Sequence, residues 1–403
     1  MLFVRSELEK NSIGLFVGIL LYTIGKTFLI YYLSRTSCAI IELLGLLVFV
    51  RYFIKLPKQK VKIDFDASIA YNIFLFIGIV TALRGLFSFN SIFAMKELVT
   101  RPDTFIVYFM PFLFFLRITP ELFSSLKKIA VIFLIVGLLF YFLNIQNLYF
   151  NATAYFSEIV VSEEDDKFLQ IARCNVQFNL LYAIFLFYIN KSLHSKVKFF
   201  LYISLVTSIV SIALAGRRGG LFTIILYAIL PYLYNIKFKY LCIIFFLILL
   251  FFYYGIGLIE DNFTVLSNRL FDDTRSWAEK EFYESMNIKD YIIGKGSMGT
   301  FYSPYFKTHR NLIETGYLHL ILKGGIFYSF AWCYLLISSF IKGYFFSSNK
   351  MVKVMSLYIF PFIPGLYLFG HPDFNIQYVV LWICLACCNQ PCLRNNEKKN
   401  YLE

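Results

Sequence analysis

Arginine is unevenly placed in this chain, and that placement is the first pointer to chemistry. Arg84, Arg173, Arg217 and Arg218 fall in or beside long apolar runs, and Arg269, Arg275 and Arg310 fall in the longest connection between such runs. A guanidinium presents a planar fork that holds two phosphate oxygens at once and stays charged when desolvated. A charge inside an apolar span costs about 2.5–3.5 kcal/mol on insertion scales, and such residues mostly serve a site. Arg84, Arg173, Arg217, Arg218, Arg275 and Arg310 are therefore candidates to hold a lipid-linked diphosphate. For any one of them the structural alternative is snorkelling to headgroups, or pairing with Glu42 or an acidic loop. His309 and Glu314 stand on either side of Arg310 and are candidate general bases toward a hydroxyl. Glu42 and Asp373 come next. A plain helical ion pair between Arg310 and Glu314 is the competing reading of that spacing.

The elements that must position these residues are membrane spans. Of 403 residues, 59% are hydrophobic, 20% aromatic and only 16% charged, with a mean hydropathy of +0.66. Ordinary soluble domains have roughly 45–50% apolar and about 25% charged residues, so a soluble enzyme, a disordered protein and a disulfide scaffold are excluded. The chain reads as an all-α polytopic membrane protein with about 12 transmembrane helices at about 20 residues each. Apolar segments fall near 13–33, 38–54, 67–89, 104–118, 129–150, 168–189, 199–215, 219–235, 239–258, 311–341, 354–370 and 376–393. Residues 1–258 thus hold nine helices, 259–310 form one large external loop, and 311–403 hold three more helices and a short tail. The first segment contains Lys26 and lacks a small-residue cleavage site, so it is a span and not a leader.

Loop charges set the orientation. Every second connection carries lysine: 55–62, Lys127 and Lys128, 191–198, Lys237 and Lys239, and 342–353. By the positive-inside rule these face the cytoplasm, as do both termini. The net charge of +13 is then a membrane signature, with lipids and not nucleic acid as the partner. The acidic segment 151–167 and the aromatic-rich 259–310 face outward. A connection of that length is uncommon unless functional or disordered, and its Trp277 and many Phe and Tyr residues argue that it folds.

Weaker motifs lie in and beside this loop. Gly294-Lys295-Gly296-Ser297-Met298-Gly299 matches a dinucleotide fingerprint, but no βαβ unit surrounds it. A tight turn after Tyr291-Ile292-Ile293 is the better reading. Thr274-Arg275-Ser276-Trp277 opens a helix whose Ala278, Phe282 and Met286 repeat at four-residue spacing, fit either for the bilayer surface or for packing on the rest of the loop. Residues 311–341 are too long for one span, at roughly 46 Å by 1.5 Å per residue. Gly324-Gly325 offers a break, which leaves 311–322 as a half-buried helix. His371-Pro372-Asp373 reads as a turn. The eight cysteines sit in or next to apolar runs, so they read as packing residues with no metal site.

Four features resemble the O-antigen polymerase and ligase family of bacterial membrane glycosyltransferases. They are Leu214-Ala215-Gly216-Arg217-Arg218-Gly219-Gly220 at a span seam; Arg275-Ser276-Trp277 with Ile292-Ile293-Gly294-Lys295-Gly296; His309-Arg310-Asn311 leading to Gly324-Gly325-Ile326; and the late position of the large external loop. Arg310 intervenes where the family has asparagine directly after histidine, and the glycines come later. The resemblance implies a GT-C-like architecture in the bacterial inner membrane. It implies metal-independent, cofactor-free transfer of a growing glycan from undecaprenyl diphosphate to a hydroxyl of the next lipid-linked repeat unit at the periplasmic face. A chain-length regulator is an expected partner. Ligation of a finished glycan on the same scaffold, and a flippase with about twelve spans, are the rival readings. A flippase would show an internal repeat and midplane binding groups, and neither is visible here.

Overall fold

The computed structural model describes residues 6–28, 33–58, 63–87, 103–143, 195–214, 218–233, 243, 246, 276–304, 307–368 and 371–395. The chain divides into two compact units. One comprises Met1–Phe133, Ile189–Ser192 and Arg275–Glu403, and the other Leu134–Tyr188 and Leu193–Thr274. The described elements are almost entirely helical. Four helices are long and apolar enough to cross a membrane: α2 (Arg35–Lys55, over Thr36–Lys55), α3 (Phe65–Phe87), α5 (Pro120–Leu143) and α11 (Ile326–Phe345). The apolar runs expected at 168–189 and 239–258, and the acidic loop at 151–167, lie outside the described residues, apart from isolated helical positions at 243 and 246.

In the first unit, α1 (Glu7–Thr23) starts at Ser6, whose hydroxyl accepts from Glu9 N, and continues as a π-helical turn over Ile24–Phe28. It packs antiparallel to α2. A Cβ at Gly14 would meet the Tyr52 ring, one at Gly18 the Phe49 backbone, and one at Gly25 the Glu42 backbone. This is the small-residue packing that lets membrane helices approach closely. Helix α3 runs antiparallel to α11. Phe74 stacks on Tyr328 at 4.3 Å and on Trp332 at 5.0 Å, while Asp66 at its start takes Lys342 and Tyr334. Between α3 and α5, α4 (Asp103–Ile106) passes into a 3-10 helix over Val107–Phe115 that contains Pro111. Proline cannot donate to an α-helical ladder, so the run expected at 104–118 is shorter and tighter than a span.

The last third has α12 (Lys350–Ile359), α13 (Phe362–Leu368), α14 (Ile376–Cys388) and α15 (Pro391–Arg394). The span expected at 354–370 is therefore broken at Phe360-Pro361. Every residue of α14 is buried, with Trp382 against Trp332 at 5.2 Å. Its thiols pack it onto α12: Cys384 Sγ lies 3.3 Å from Met355 Sδ, and Cys388 Sγ donates to Val352 O at 3.8 Å. In the second unit, α6 (Ser195–Leu214) pairs with α7 (Arg218–Leu233).

Charges in the first unit sort to its two ends. At one end Arg394 grips Asp64 through two nitrogens at 2.6 and 3.0 Å, Lys342 reaches Asp66 at 2.7 Å, and Lys128 pairs with Glu9. Lys55 and Lys350 belong to the same end, which is the lysine end. The opposite end carries the C-termini of α1 and α3, the N-termini of α11 and α14, and the segment 276–310.

Candidate functional site

Segment 276–310 folds as a small cap. Helix α8 (Ser276–Ser285) buries Phe282 among Met286, Phe301, Ile313, Leu318 and Leu322. The helix expected to open at Thr274-Arg275-Ser276-Trp277 is described from Ser276, and it packs on the loop's Met286 and Phe301 and on Ile313, Leu318 and Leu322 beyond it. Its polar face also holds the cap: Ser303 Oγ donates to Glu281 at 2.7 Å, and the Thr315 hydroxyl donates to Glu279. A two-stranded hairpin follows, β1 (Phe301–Ser303) antiparallel to β2 (Thr308–Arg310), with Tyr302 opposite His309.

The hairpin changes the setting of three residues singled out from the sequence. His309 is exposed, its ring edge-on to Tyr302 at 5.4 Å. The Arg310 guanidinium lies 5.9 Å from the Trp277 ring centroid, a cation–π distance. Glu314 is exposed in the link to α10 (Gly316–Gly324). The helix starts at Gly316 and not at 311, because β2 ends at Arg310 and residues 311–315 form an irregular link to the helix. Arg310 and Glu314 are consequently not one helical turn apart.

Arg84 ends α3 and faces the cap. Its two terminal nitrogens donate to Ile293 O at 2.6 Å and Gly294 O at 3.0 Å, the closing carbonyls of α9 (Ile288–Ile293). These are orphan acceptors at a helix C-terminus, where a cation also meets the dipole favourably. The glycine-rich turn then clamps two helices. Lys295 N and Gly296 N donate to Leu322 O (2.7 Å) and Lys323 O (3.0 Å) at the end of α10, and Ser297 N donates to Thr81 O (3.0 Å) of α3. Gly294 (φ 67°) and Gly325 (φ 84°) both adopt the left-handed conformation that favours glycine. A Cβ on either would collide with the backbone of the other strand of the clamp. The break expected at Gly324-Gly325 is thus real, and the turn expected at Gly294 is its counterpart.

Beneath the cap lies a polar cluster that the sequence did not bring together. His319 of α10 and His371, between α13 and α14, stand with ring centroids 4.3 Å apart. Asp373 accepts from Phe374 N at 2.8 Å and from Asn375 Nδ2 at 3.1 Å, and pairs with Lys26 of the π-helical turn at 3.7 Å. Lys323, one turn beyond His319, is buried and donates to Gly299 O of the cap at 2.9 Å. Burial, then His371 and Lys323, hold the His319 imidazole well below its ordinary pKa. Burial also lowers His371, with Lys323 and Lys26 adding and Asp373 opposing. For Asp373 burial acts upward, but Lys26, His371 and its hydrogen bonds outweigh it and leave the carboxyl below its usual value. The cluster therefore combines neutral imidazoles, an ionised carboxylate and two lysines.

Of the remaining arginines, Arg218 begins α7 in the second unit. Arg173, Arg217 and Arg275 lie outside the described residues. No protein-family model, curated protein or solved structure matches this chain. The apolar helices and composition define an all-α membrane protein.

Proposed function

We propose that this protein is a membrane glycosyltransferase of about twelve spans and GT-C-like architecture that polymerises undecaprenyl-diphosphate-linked repeat units at the outer face of a bacterial inner membrane. The observation that carries the reading is the segregation of charge in the first unit. Lys55, Lys128, Lys342 and Arg394, the basic residues of the span ends, gather at one end, while the folded cap and the histidine–carboxylate cluster occupy the other. Together with the positive-inside rule this points the cap outward, toward lipid diphosphates already carried across. Arg217, Arg218, Arg275 and Arg310 supply charge for the departing diphosphate, which needs stabilisation and not protonation. Arg84, with two nitrogens committed to α9, acts chiefly as a brace of the cap.

The test is the fate of the repeat unit in cells lacking the protein. Single lipid-linked units should accumulate at the outer leaflet, where an added glycan-specific enzyme or lectin reaches them in intact cells. Units trapped at the inner leaflet would replace the polymerase with a flippase. Polymer built to normal length but left on its lipid would instead indicate ligation.

A further inference from the structure

We propose that His319, seated against His371, which itself adjoins the Asp373–Lys26 ion pair, is the group that accepts the proton of the attacking sugar hydroxyl, in place of the exposed His309 and Glu314. The inference rests on the polymerase reading and names the base within it.

Geometry is the ground for it. Three chain segments far apart in sequence converge here: the π-helical turn after α1, helix α10, and the link before α14. A π-helical turn carries an extra residue per turn, is rare, and is found mostly at functional sites. Here it contributes Lys26. Among the described residues His319 Nδ1 is buried with no hydrogen-bond partner. Leaving such an atom unsatisfied is destabilising, and packing alone would favour an apolar residue at that position. The neighbouring groups are fixed. Asp373 is held by one backbone and one side-chain donor, and Lys323 is tied to the cap through Gly299. His309, by contrast, lies on a solvent-facing strand with Tyr302 as its ring neighbour.

The reaction balances with these parts. The acceptor hydroxyl oxygen attacks the anomeric carbon of the donor, and a new C–O bond forms. The bond from that carbon to the diphosphate oxygen breaks, its electron pair leaving with the lipid diphosphate. The hydroxyl proton passes to His319 Nδ1, in the tautomer that carries its own proton on Nε2. The resulting imidazolium later releases the proton to water, and the Asp373 carboxylate, acting on the adjoining His371, offsets part of the positive charge there.

The charged groups around His319 also tie base strength to donor binding. Lys323 lies on its own helix, Lys26 on the turn after α1, His371 and Asp373 on the link before α14, and Glu42 on α2 beside Gly25. In the empty site Lys323, whose own pKa burial lowers to about 7, disfavours a proton on His319, and Lys323 and Lys26 both disfavour one on His371. A lipid diphosphate bound near them cancels that field and raises the imidazole's proton affinity toward neutrality, where general-base transfer is most effective. The base is weak until the leaving group is in place.

The experiment uses the full-length protein in proteoliposomes, with the lipid-diphosphate-linked repeat unit extracted from deletion cells as both donor and acceptor. His319→Asn should lower the transfer rate by about 100-fold, the low end for loss of a general base. Asp373→Asn should move the acid limb of the rate profile to lower pH, since the carboxylate no longer offsets the positive charge around the His319–His371 pair. In the wild type the acid limb of kcat should lie at higher pH than that of kcat/KM, because kcat reports the donor-bound state. A His319→Asn rate within about threefold of wild type overturns the inference, as does a 100-fold loss confined to His309→Asn or Glu314→Gln. Should His319→Asn fail to fold, the Asp373→Asn profile decides, and an unmoved acid limb overturns the inference. A wild-type protein that makes no polymer from these units sinks the polymerase reading itself, an outcome separable from the others.

Discussion

Arg84 shows how one side chain can be singled out correctly as unusual while its use stays hidden. Its position near the end of an apolar run marks it as costly in the sequence. Its partners, two carbonyls more than 200 residues away, are invisible there because any backbone carbonyl can accept. The geometry makes a distinct prediction. Arg84→Lys keeps the charge but loses the fork that spans Ile293 O and Gly294 O. The cap should then open locally, by about 1–2 kcal/mol for a lost charge-assisted hydrogen bond. Protease cleavage within 276–310 should rise several-fold while the membrane helices stay intact. Unchanged cleavage would mean that the clamp holds through Lys295, Gly296 and Ser297 alone. The His319–His371 contact escaped the sequence for a related reason. An imidazole in an apolar helix and another in a His-Pro-Asp turn carry no signal that they meet.

At the scale of elements, what was legible depended on period and on glycine. The long apolar runs at α2, α3, α5 and α11 were plain, because about 20 apolar residues match the hydrocarbon thickness. The helix opening near Thr274-Arg275-Ser276-Trp277 was legible from its Ala278, Phe282 and Met286 spacing, and Gly324-Gly325 marked a true break. The hairpin was missed, since three-residue strands are too short to show alternation, and the irregular link after β2 displaced the expected helix start by several residues. The 3-10 run over Val107–Phe115 was read as a span because composition does not report helix type. Helix α8 offers the element's own test. Phe282 is fully buried at the centre of the cap, so Phe282→Ala should destabilise the cap by about 3–5 kcal/mol, the usual range for such a truncation. Hydrogen exchange of the amides in 276–304 should accelerate accordingly, and amides in α11 should not follow. Joint loss in both would show that the cap and the spans unfold as one.

For the molecule as a whole, the strongest signal in the sequence was the alternation of lysine-bearing connections, and the first unit carries it into three dimensions. Helices α1 and α2, and α3 and α11, run antiparallel, so Lys55, Lys128, Lys342 and Arg394 gather at one end although they come from distant parts of the chain. Such a charge distribution is what the positive-inside rule acts on during insertion, since basic residues near span ends resist crossing. It leads to a prediction that needs no activity assay. Cys392 is the exposed cysteine of the lysine end, and Lys280 is an exposed cap residue on α8. With the other cysteines replaced by serine or alanine, Cys392 should react with a membrane-impermeant maleimide only after the cells are made permeable. A Lys280→Cys protein that lacks Cys392 should react in intact cells. Labelling of both from the same side would mean that the two ends do not face opposite compartments. The reverse pattern would put the cap and the His319 cluster in the cytoplasm, out of reach of outward-facing lipid diphosphates, and a polymerase could not work there.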